Sequence, residues 1–385
     1  MAGLEKLREE INSIDEEMTR LFEKRMKTVL KIAEYKKENN IPVLNQNREE
    51  EVIRKNISCL QNKLFQGALK EFFTNLMSIS RKFQSKELFN NNISMEDKKE
   101  LNISICSPKK EKIKIGFQGV KGSFSEQALL EYFGEDIPTY NVDNFENVFE
   151  VLSKGEIDYG VLPIENSSTG GIAEVYDLLR KYGFFIVGER ILKVDHNLLG
   201  IKGTKIEDLQ EVYSHSQAFG QSSEFLKNYP DWKCIPYKNT ATSAEFIKKE
   251  NSKHKGAIGS KKAAQVYDLE IIKSNINHNK DNYTRFIIIG KNLELEDDYN
   301  KISILCSLPH KAGSLYNILS VFAENNLSML KIESRPIVGR PWEYFFYIDF
   351  EGNLNNENVK NTIKAIENNS FDFKLLGNYK CHNNG

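Results

Sequence analysis

At roughly 150 residues per domain, a chain of 385 residues holds two or three folded parts, each large enough to bury its own core. With 53 Lys and Arg against 54 Asp and Glu, its formal net charge of -1 gives no global field for nucleic acid or an acidic membrane surface. Apolar runs such as Phe286 to Ile289 are too short to span a bilayer, the start carries Glu5, Glu9 and Glu10 where a secretory leader is basic, and the five cysteines form no C-x-x-C pair, so the reading is cytoplasmic, with reduced and mostly packed thiols and no zinc site.

Leu4, Leu7, Ile11, Ile14, Met18, Leu21, Val29 and Ile32 recur at spacings of three and four, and neither Pro nor Gly interrupts the segment between Gly3 and Pro42. One helix on the order of 50 Å long follows, too long for a bundle of about ninety residues to cover, so an intertwined homodimer is the economical expectation. Further helices are predicted from about Arg48 to Gln61 and from Leu64 to Leu88. Residues 90–111, rich in Asn, Ser and Lys, read as a linker. From Ile113 short β runs alternate with helices, at Ile113–Phe117, Tyr159–Ile164, Phe184–Val187, Glu211–Ser214, Gly256–Gly259 and Phe286–Ile289. Such a region folds as a two-lobed α/β domain with a ligand cleft. After a charged connector, the order β-α-β-β-α-β over 301–379 is ferredoxin-like. The predicted parts are 1–89 (helical), 90–111 (linker), 112–291 (α/β) and 300–381 (α+β).

Within the first stripe Arg25 and Lys36 occupy positions where further hydrophobes are due, and Arg8 lies beside it. Glu49 shares a face with Val52, Ile53 and Leu60, while Ser80 and Gln84 stand four apart on the third helix. An internal salt bridge such as Lys36 with Glu49 is one explanation. Three cations, one carboxylate and an amide on one bundle fit a small dianion better. These residues, with Leu7-Arg8-Glu9-Glu10-Ile11 and Arg48-Glu49, resemble the all-helical chorismate mutase domain that opens bifunctional enzymes of phenylalanine synthesis. The resemblance implies that Arg8 of a second subunit, Arg25, Arg48 and Ser80 bind substrate, that Lys36 and Gln84 donate to the ether oxygen, and that Glu49 holds the ring hydroxyl. Asn45, which the resemblance also implies to bind substrate, stands where related enzymes carry Asp.

Gly119-Val120-Lys121-Gly122-Ser123 follows a strand and opens a helix; its spacing is neither a dinucleotide fingerprint nor a P-loop, and a plain turn is an equal reading. Pro163-Ile164-Glu165-Asn166-Ser167 and Tyr213-Ser214-His215 set polar groups past the ends of strands, where open sheets bind ligands. His215 fits a helix cap better than a base for Ser214. With Gln217, Gln221, Asn239-Thr240-Ala241 and Asn282-Tyr283-Thr284-Arg285-Phe286, these runs resemble prephenate dehydratase over about residues 112–290. The resemblance makes Thr284 the essential hydroxyl, Arg285 the anchor of a substrate carboxylate, and Glu165, Asn166, Ser167, Ser214 and Gln221 the surrounding shell. Leu308-Pro309-His310-Lys311-Ala312-Gly313-Ser314-Leu315 and Glu333-Ser334-Arg335-Pro336 resemble the motifs of an ACT regulatory domain, which implies a phenylalanine site on Gly313, Ser314, Leu315, Glu333, Ser334, Arg335 and Pro336. Together the resemblances imply an enzyme making phenylpyruvate from chorismate by way of prephenate, with phenylalanine as inhibitor and no metal or organic cofactor. Its rivals are a metabolite sensor without catalysis and an enzyme with one functional site.

Overall fold

The structure, a computed structural model, describes residues 2–39, 46–90 and 113–382, and forms two compact units, 1–102 and 103–385. None of its helices is long and apolar enough to cross a membrane.

The first unit is built from helices α1 (Ala2–Glu38), α2 (Gln46–Ser58) and α3 (Gln66–Asn90). Met26, Val29 and Ala33 of α1 and Leu76 and Met77 of α3 are buried, so the helices pack through the second half of α1. The first half carries its apolar stripe into solvent: Leu4, Leu7, Ile11, Ile14, Met18 and Leu21 are all exposed in a single copy. A 37-residue helix with this stripe has more apolar length than α2 and α3 cover.

The second unit opens with a two-lobed α/β domain. Lobe one is a sheet of β1 (Ile115–Gln118), β2 (Thr139–Val142), β3 (Tyr159–Asn166), the short β4 (Gly170–Gly171), β5 (Phe185–Lys193) and β11 (Tyr283–Gly290), in the order β2-β1-β3-β11-β5 with β4 beside β3. Helices α4 (Phe124–Phe133), α5 (Phe145–Lys154) and α6 (Ala173–Tyr182) pack on it. Lobe two holds β6 (Asn197–Gly200), β7 (Glu211–Ser214), β8 (Lys233–Pro236), β9 (Lys255–Gly259) and β10 (Glu270–Lys273), in the order β10-β6-β9-β7-β8, with helices α7 (Ser216–Gln221), α8 (Ser223–Leu226), α9 (Thr240–Glu250) and α10 (Lys261–Val266). The chain crosses between lobes twice, after β5 and before β11, and the two crossings bond to each other: Val194 N–H donates to the Asn282 carbonyl and Ile276 N–H to that of His196.

The terminal domain pairs β13 (Met329–Pro336), β14 (Tyr344–Glu351), β12 (Lys301–Ser307) and β15 (Phe373–Tyr379) in that order, with α11 (Ser314–Glu324) and α12 (Glu357–Asn368) in between along the chain. One face of this sheet meets the helices through Ile302, Ile304, Cys306, Ile348 and Phe350. Leu305, Phe345, Tyr347, Leu376 and Tyr379 join the core of lobe one. The α/β and α+β parts therefore share apolar packing. At Gly377 a Cβ would fall 2.0 Å from the Ile186 carbonyl oxygen, so only glycine lets β15 run this close to β5. The cysteines depart from the expectation of packing: Cys59 and Cys234 are exposed, and only Cys306 of the described ones is fully buried.

Candidate functional sites

In the helical unit the i, i+4 spacing of Ser80 and Gln84 sets both on the buried face of α3, opposite Arg25 of α1. Arg25 donates to Ser80 Oγ, which donates in turn to the Leu76 carbonyl (2.6 Å). Burial lowers the Arg25 pKa, the direction expected where its charge lacks a carboxylate. Gln84 Oε1 is buried without a hydrogen-bond partner among the described residues. Lys36 is half-buried farther along α1. Glu49 forms an ion pair with Arg81, a cation absent from the sequence-derived candidates although it lies three residues from Gln84 and four from Met77. Arg8 and Arg48 are exposed in a single copy, Arg48 within 2.7 Å of Glu51. Asn45 lies outside the described residues.

The cleft of the α/β domain is organised by Asn166, at the end of β3. Its side-chain N–H groups donate to Thr284 Oγ1 (2.9 Å) and Asn282 Oδ1 (2.8 Å), and its oxygen accepts the backbone N–H groups of Ser168 and Thr169. The Thr284 hydroxyl is buried and donates to no protein group among the described residues. An N–H on its oxygen with its own proton uncommitted makes it a polarised donor. Ser167 Oγ bonds the Asp281 carbonyl and the Tyr283 N–H, stitching the second crossing. From lobe two, Gln217 reaches Thr169 Oγ1 (3.1 Å), and Gln221 Oε1 lies 2.7 Å from His196 Nε2. With Nε2–H donating there, His196 Nδ1 is an unprotonated acceptor with no partner among the described residues. Burial lowers the His196 pKa, which keeps the ring neutral. Sequence reasoning missed His196; its place just past a strand end was the available signal. Ser214 is fully buried and donates to the Ile258 carbonyl, a bond inside lobe two. His215 accepts the Gln217 N–H as the cap of its helix. The Gly-rich turn touches the other lobe: Ser260 Oγ donates to the Gly122 carbonyl and Tyr267 OH to that of Lys121.

Arg285 departs from the expectation that it anchors a substrate carboxylate. Neighbours on a strand face opposite ways, so Thr284 and Arg285 cannot both line the cleft. The guanidinium lies against Glu165 (2.6 Å), Asp349 (2.8 Å) and Glu189 (3.2 Å), with its side chain only 7% exposed. Lys301 pairs with Glu189 (2.8 Å), and Lys331 with Glu165. Glu165 likewise faces the terminal domain, away from the Asn166 side.

The residues expected to hold an effector fall into two groups. Gly313, at φ +84, caps α11, and Ser314 and Leu315 line a groove of about 370 Å³ with Trp342, Tyr344 and Phe346. Ser334 is exposed and paired in register with Phe346, and Pro336 is exposed two residues along the same strand face. Glu333 and Arg335 point the other way: a Cβ at Gly171 would lie 3.1 Å from Glu333 Oε2, and Arg335 pairs with Asp177 of α6 (3.0 Å).

Comparison with known proteins gives three family matches in order: chorismate mutase type II over residues 7–85, prephenate dehydratase over 115–294 and the ACT domain over 302–368. The bifunctional chorismate mutase/prephenate dehydratase of Buchnera aphidicola from Acyrthosiphon pisum is 33% identical over 378 residues, 97% of this chain and 95% of that one. Among solved structures, the prephenate dehydratase of Arthrobacter aurescens in complex with L-Phe is 26% identical, with a TM-score of 0.64 over 70% of this chain and 90% of that one. GqqA, described as a quorum quenching acylase, matches with the same identity and TM-score over 70% of this chain and 98% of its own.

Proposed function

This chain belongs to the family of bifunctional chorismate mutase/prephenate dehydratases, and from that premise we propose that it carries out both reactions in turn, under inhibition by phenylalanine. In this reading the helical part, 1–89, rearranges chorismate to prephenate. The step breaks one C–O bond and forms one C–C bond without gain or loss of atoms, so clamping the compact conformer and stabilising charge on the ether oxygen suffice. Arg25 and Ser80, already bonded, hold one carboxylate, and Arg8 of a second copy reaches the other, with Arg48 beside them. Lys36 and Gln84 donate to the ether oxygen, and Arg81 fixes Glu49 toward the ring hydroxyl. If Asn45 acts through its backbone N–H, its difference from Asp is mild.

The α/β part, 112–291, then removes water and CO₂ from prephenate. The bond to the departing carboxylate breaks, its electron pair enters the ring, and the ring hydroxyl leaves with one added proton as water. The observation that carries this assignment is the buried Thr284 hydroxyl, polarised by Asn166 with its proton uncommitted. It hydrogen-bonds the departing hydroxyl, while Gln221, Ser167 and the buried Ser214 shape the cleft around it. The terminal part, 300–381, takes phenylalanine at the groove of Gly313, Ser314 and Leu315 with Ser334 and Pro336, its carboxylate on the free N–H groups of the α11 start. Glu333 and Arg335 connect this site to the α/β part. A cytoplasmic homodimer or larger oligomer completes the proposal, supported by the uncovered stripe of α1.

The test is to give purified protein chorismate and follow prephenate and phenylpyruvate with and without phenylalanine. Phenylpyruvate formation that phenylalanine suppresses is the expected result. Prephenate accumulating alone would reduce the α/β part to a sensor, and unaltered chorismate would refute the mutase assignment.

A further inference from the structure

Two residue pairs bridge β3 and β11 where these strands meet the cleft. Asn166 stands opposite Thr284 and Glu165 opposite Arg285, in antiparallel register. Side chains alternate along a strand, so the first pair faces the cleft and the second faces the terminal domain. Immediately beyond, the register shifts: Phe286 pairs with Pro163, leaving Ile164 as the extra residue of a bulge. Bulges re-aim side chains beside functional sites, and this one sets the twist at which both pairs emerge.

The second pair belongs to a cluster in which Arg285, Lys301 and Lys331 face Glu165, Glu189 and Asp349, with Glu333 at its edge 4.0 Å from Lys331. Lys301, Lys331, Glu333 and Asp349 come from the terminal domain, and Arg285, Glu165 and Glu189 from lobe one. Asp349 also accepts from Ser303 Oγ (2.6 Å), which meets the fully buried Tyr379 hydroxyl at 2.8 Å. A set of charges this deeply buried tolerates little displacement, because an ion left unpaired there has lost its hydration without a partner in exchange. Lys331 lies two residues before Glu333, on the strand that carries the regulatory motif.

We propose that Arg285 is a positioning residue, held by Asp349 of the terminal domain against Glu165, and that this buried ion cluster sets the geometry of the Asn166–Thr284 pair on the opposite face. The inference rests on the dehydratase reading and deepens it. Arg285 does not touch substrate; it fixes the strand end from behind. The terminal domain is then part of what holds the active cleft in register.

The test replaces Asp349 by Asn in the full chain and measures dehydration of supplied prephenate. Displacement of a reacting group by about 1 Å costs up to about 100-fold in rate, so kcat should fall about 10- to 100-fold while KM stays within about threefold. Arg285→Lys, which keeps a charge for Asp349, should retain more kcat than Arg285→Gln. If Asp349→Asn does not fold, as judged by near-UV circular dichroism, Lys331→Met at the rim of the cluster carries the same test, with the same expected split. An unchanged kcat in the Asp349 or Lys331 variant, or an Arg285→Gln that raises KM at constant kcat, would overturn the proposal, the latter marking Arg285 as a substrate ligand. Wild-type protein that leaves prephenate intact overturns the dehydratase reading and this inference with it; an active wild type with indifferent variants overturns the inference alone.

Discussion

Ile11 lies in the middle of the apolar stripe that α1 shows to solvent, 57% exposed in a single copy, and its replacement by Asp tests whether a second copy covers that stripe. Full burial of such a side chain contributes about 1.5–3 kcal/mol, so covering the exposed part contributes about 0.9–1.7 kcal/mol. A two-fold interface counts the residue twice. Aspartate forfeits both terms and places two carboxylates in an apolar seam, at several kcal/mol together even after partial neutralisation. The sum is at least about 5 kcal/mol per dimer, which weakens association by on the order of 10³-fold or more. Sedimentation velocity from sub-micromolar to micromolar protein should show the Ile11→Asp variant losing one step of assembly. Its chorismate rearrangement should collapse, because Arg8 of the second copy leaves the site, while dehydration of supplied prephenate persists. A variant that sediments like wild type and keeps its mutase rate would refute both the seam and the shared site.

Changing Lys36 to Ala should reduce chorismate rearrangement at least about 100-fold and spare dehydration, as expected for loss of a charge at the ether oxygen; both rates falling together in a product assay would sink the idea of separate sites. Thr284→Ala should do the reverse, lowering dehydration about 10²- to 10⁴-fold, and an unaltered rate would remove the hydroxyl from the mechanism. Gly122 sits at φ +80 with its absent Cβ 2.9 Å from Ala263 Cα across the cleft. Gly122→Ala adds about 1–2 kcal/mol of backbone strain and about 1–3 kcal/mol of overpacking, so KM for prephenate should rise while the mutase rate holds; equal KM values would count against lobe contact through this turn. Burial pushes Asp349 and Glu189 up, but Arg285 and Lys301 outweigh it and hold both carboxyls below their ordinary range. Their contribution to stability is therefore complete above the ordinary carboxylate range and lost as pH falls through the lowered values. Acid unfolding followed by Tyr fluorescence should move to higher pH in Asp349→Asn, and an identical midpoint would contradict the linkage.

Much of the architecture was legible because its signals are local. The 3.6-residue stripe of α1 and the strand and helix pattern after Lys301 reproduce the observed elements to within a few residues, since each buries one face and ends at polar or turn residues. The strands β2, β6, β8 and β10 have four residues each, too few alternations to stand out alone; β1 and β7, equally short, are legible because a Gly-rich turn and a polar run directly follow them. At the candidate sites, Arg25, Ser80 and Gln84 converge as their helical spacing requires, and Asn166 meets Thr284 across a register that sequence does not display. Arg285 shows the opposite case. Strand alternation alone separates it from Thr284, whereas the resemblance takes the motif as one block, and the three carboxylates that claim it come from positions 165, 189 and 349. Only folding brings such distant charges together.

The apolar packing between lobe one and the terminal sheet bears on how an inhibition-resistant enzyme can be made. Ending the chain before Lys301 would uncover Tyr176 and Ile186 and leave Arg285 and Glu189 facing water without Asp349 and Lys301. Such a truncated protein should suffer in solubility and turnover, and its freedom from phenylalanine would be bought with a damaged catalyst. Desensitisation is better sought at the proposed effector groove of Ser314, Leu315 and Trp342, where a bulkier side chain would leave the shared core intact.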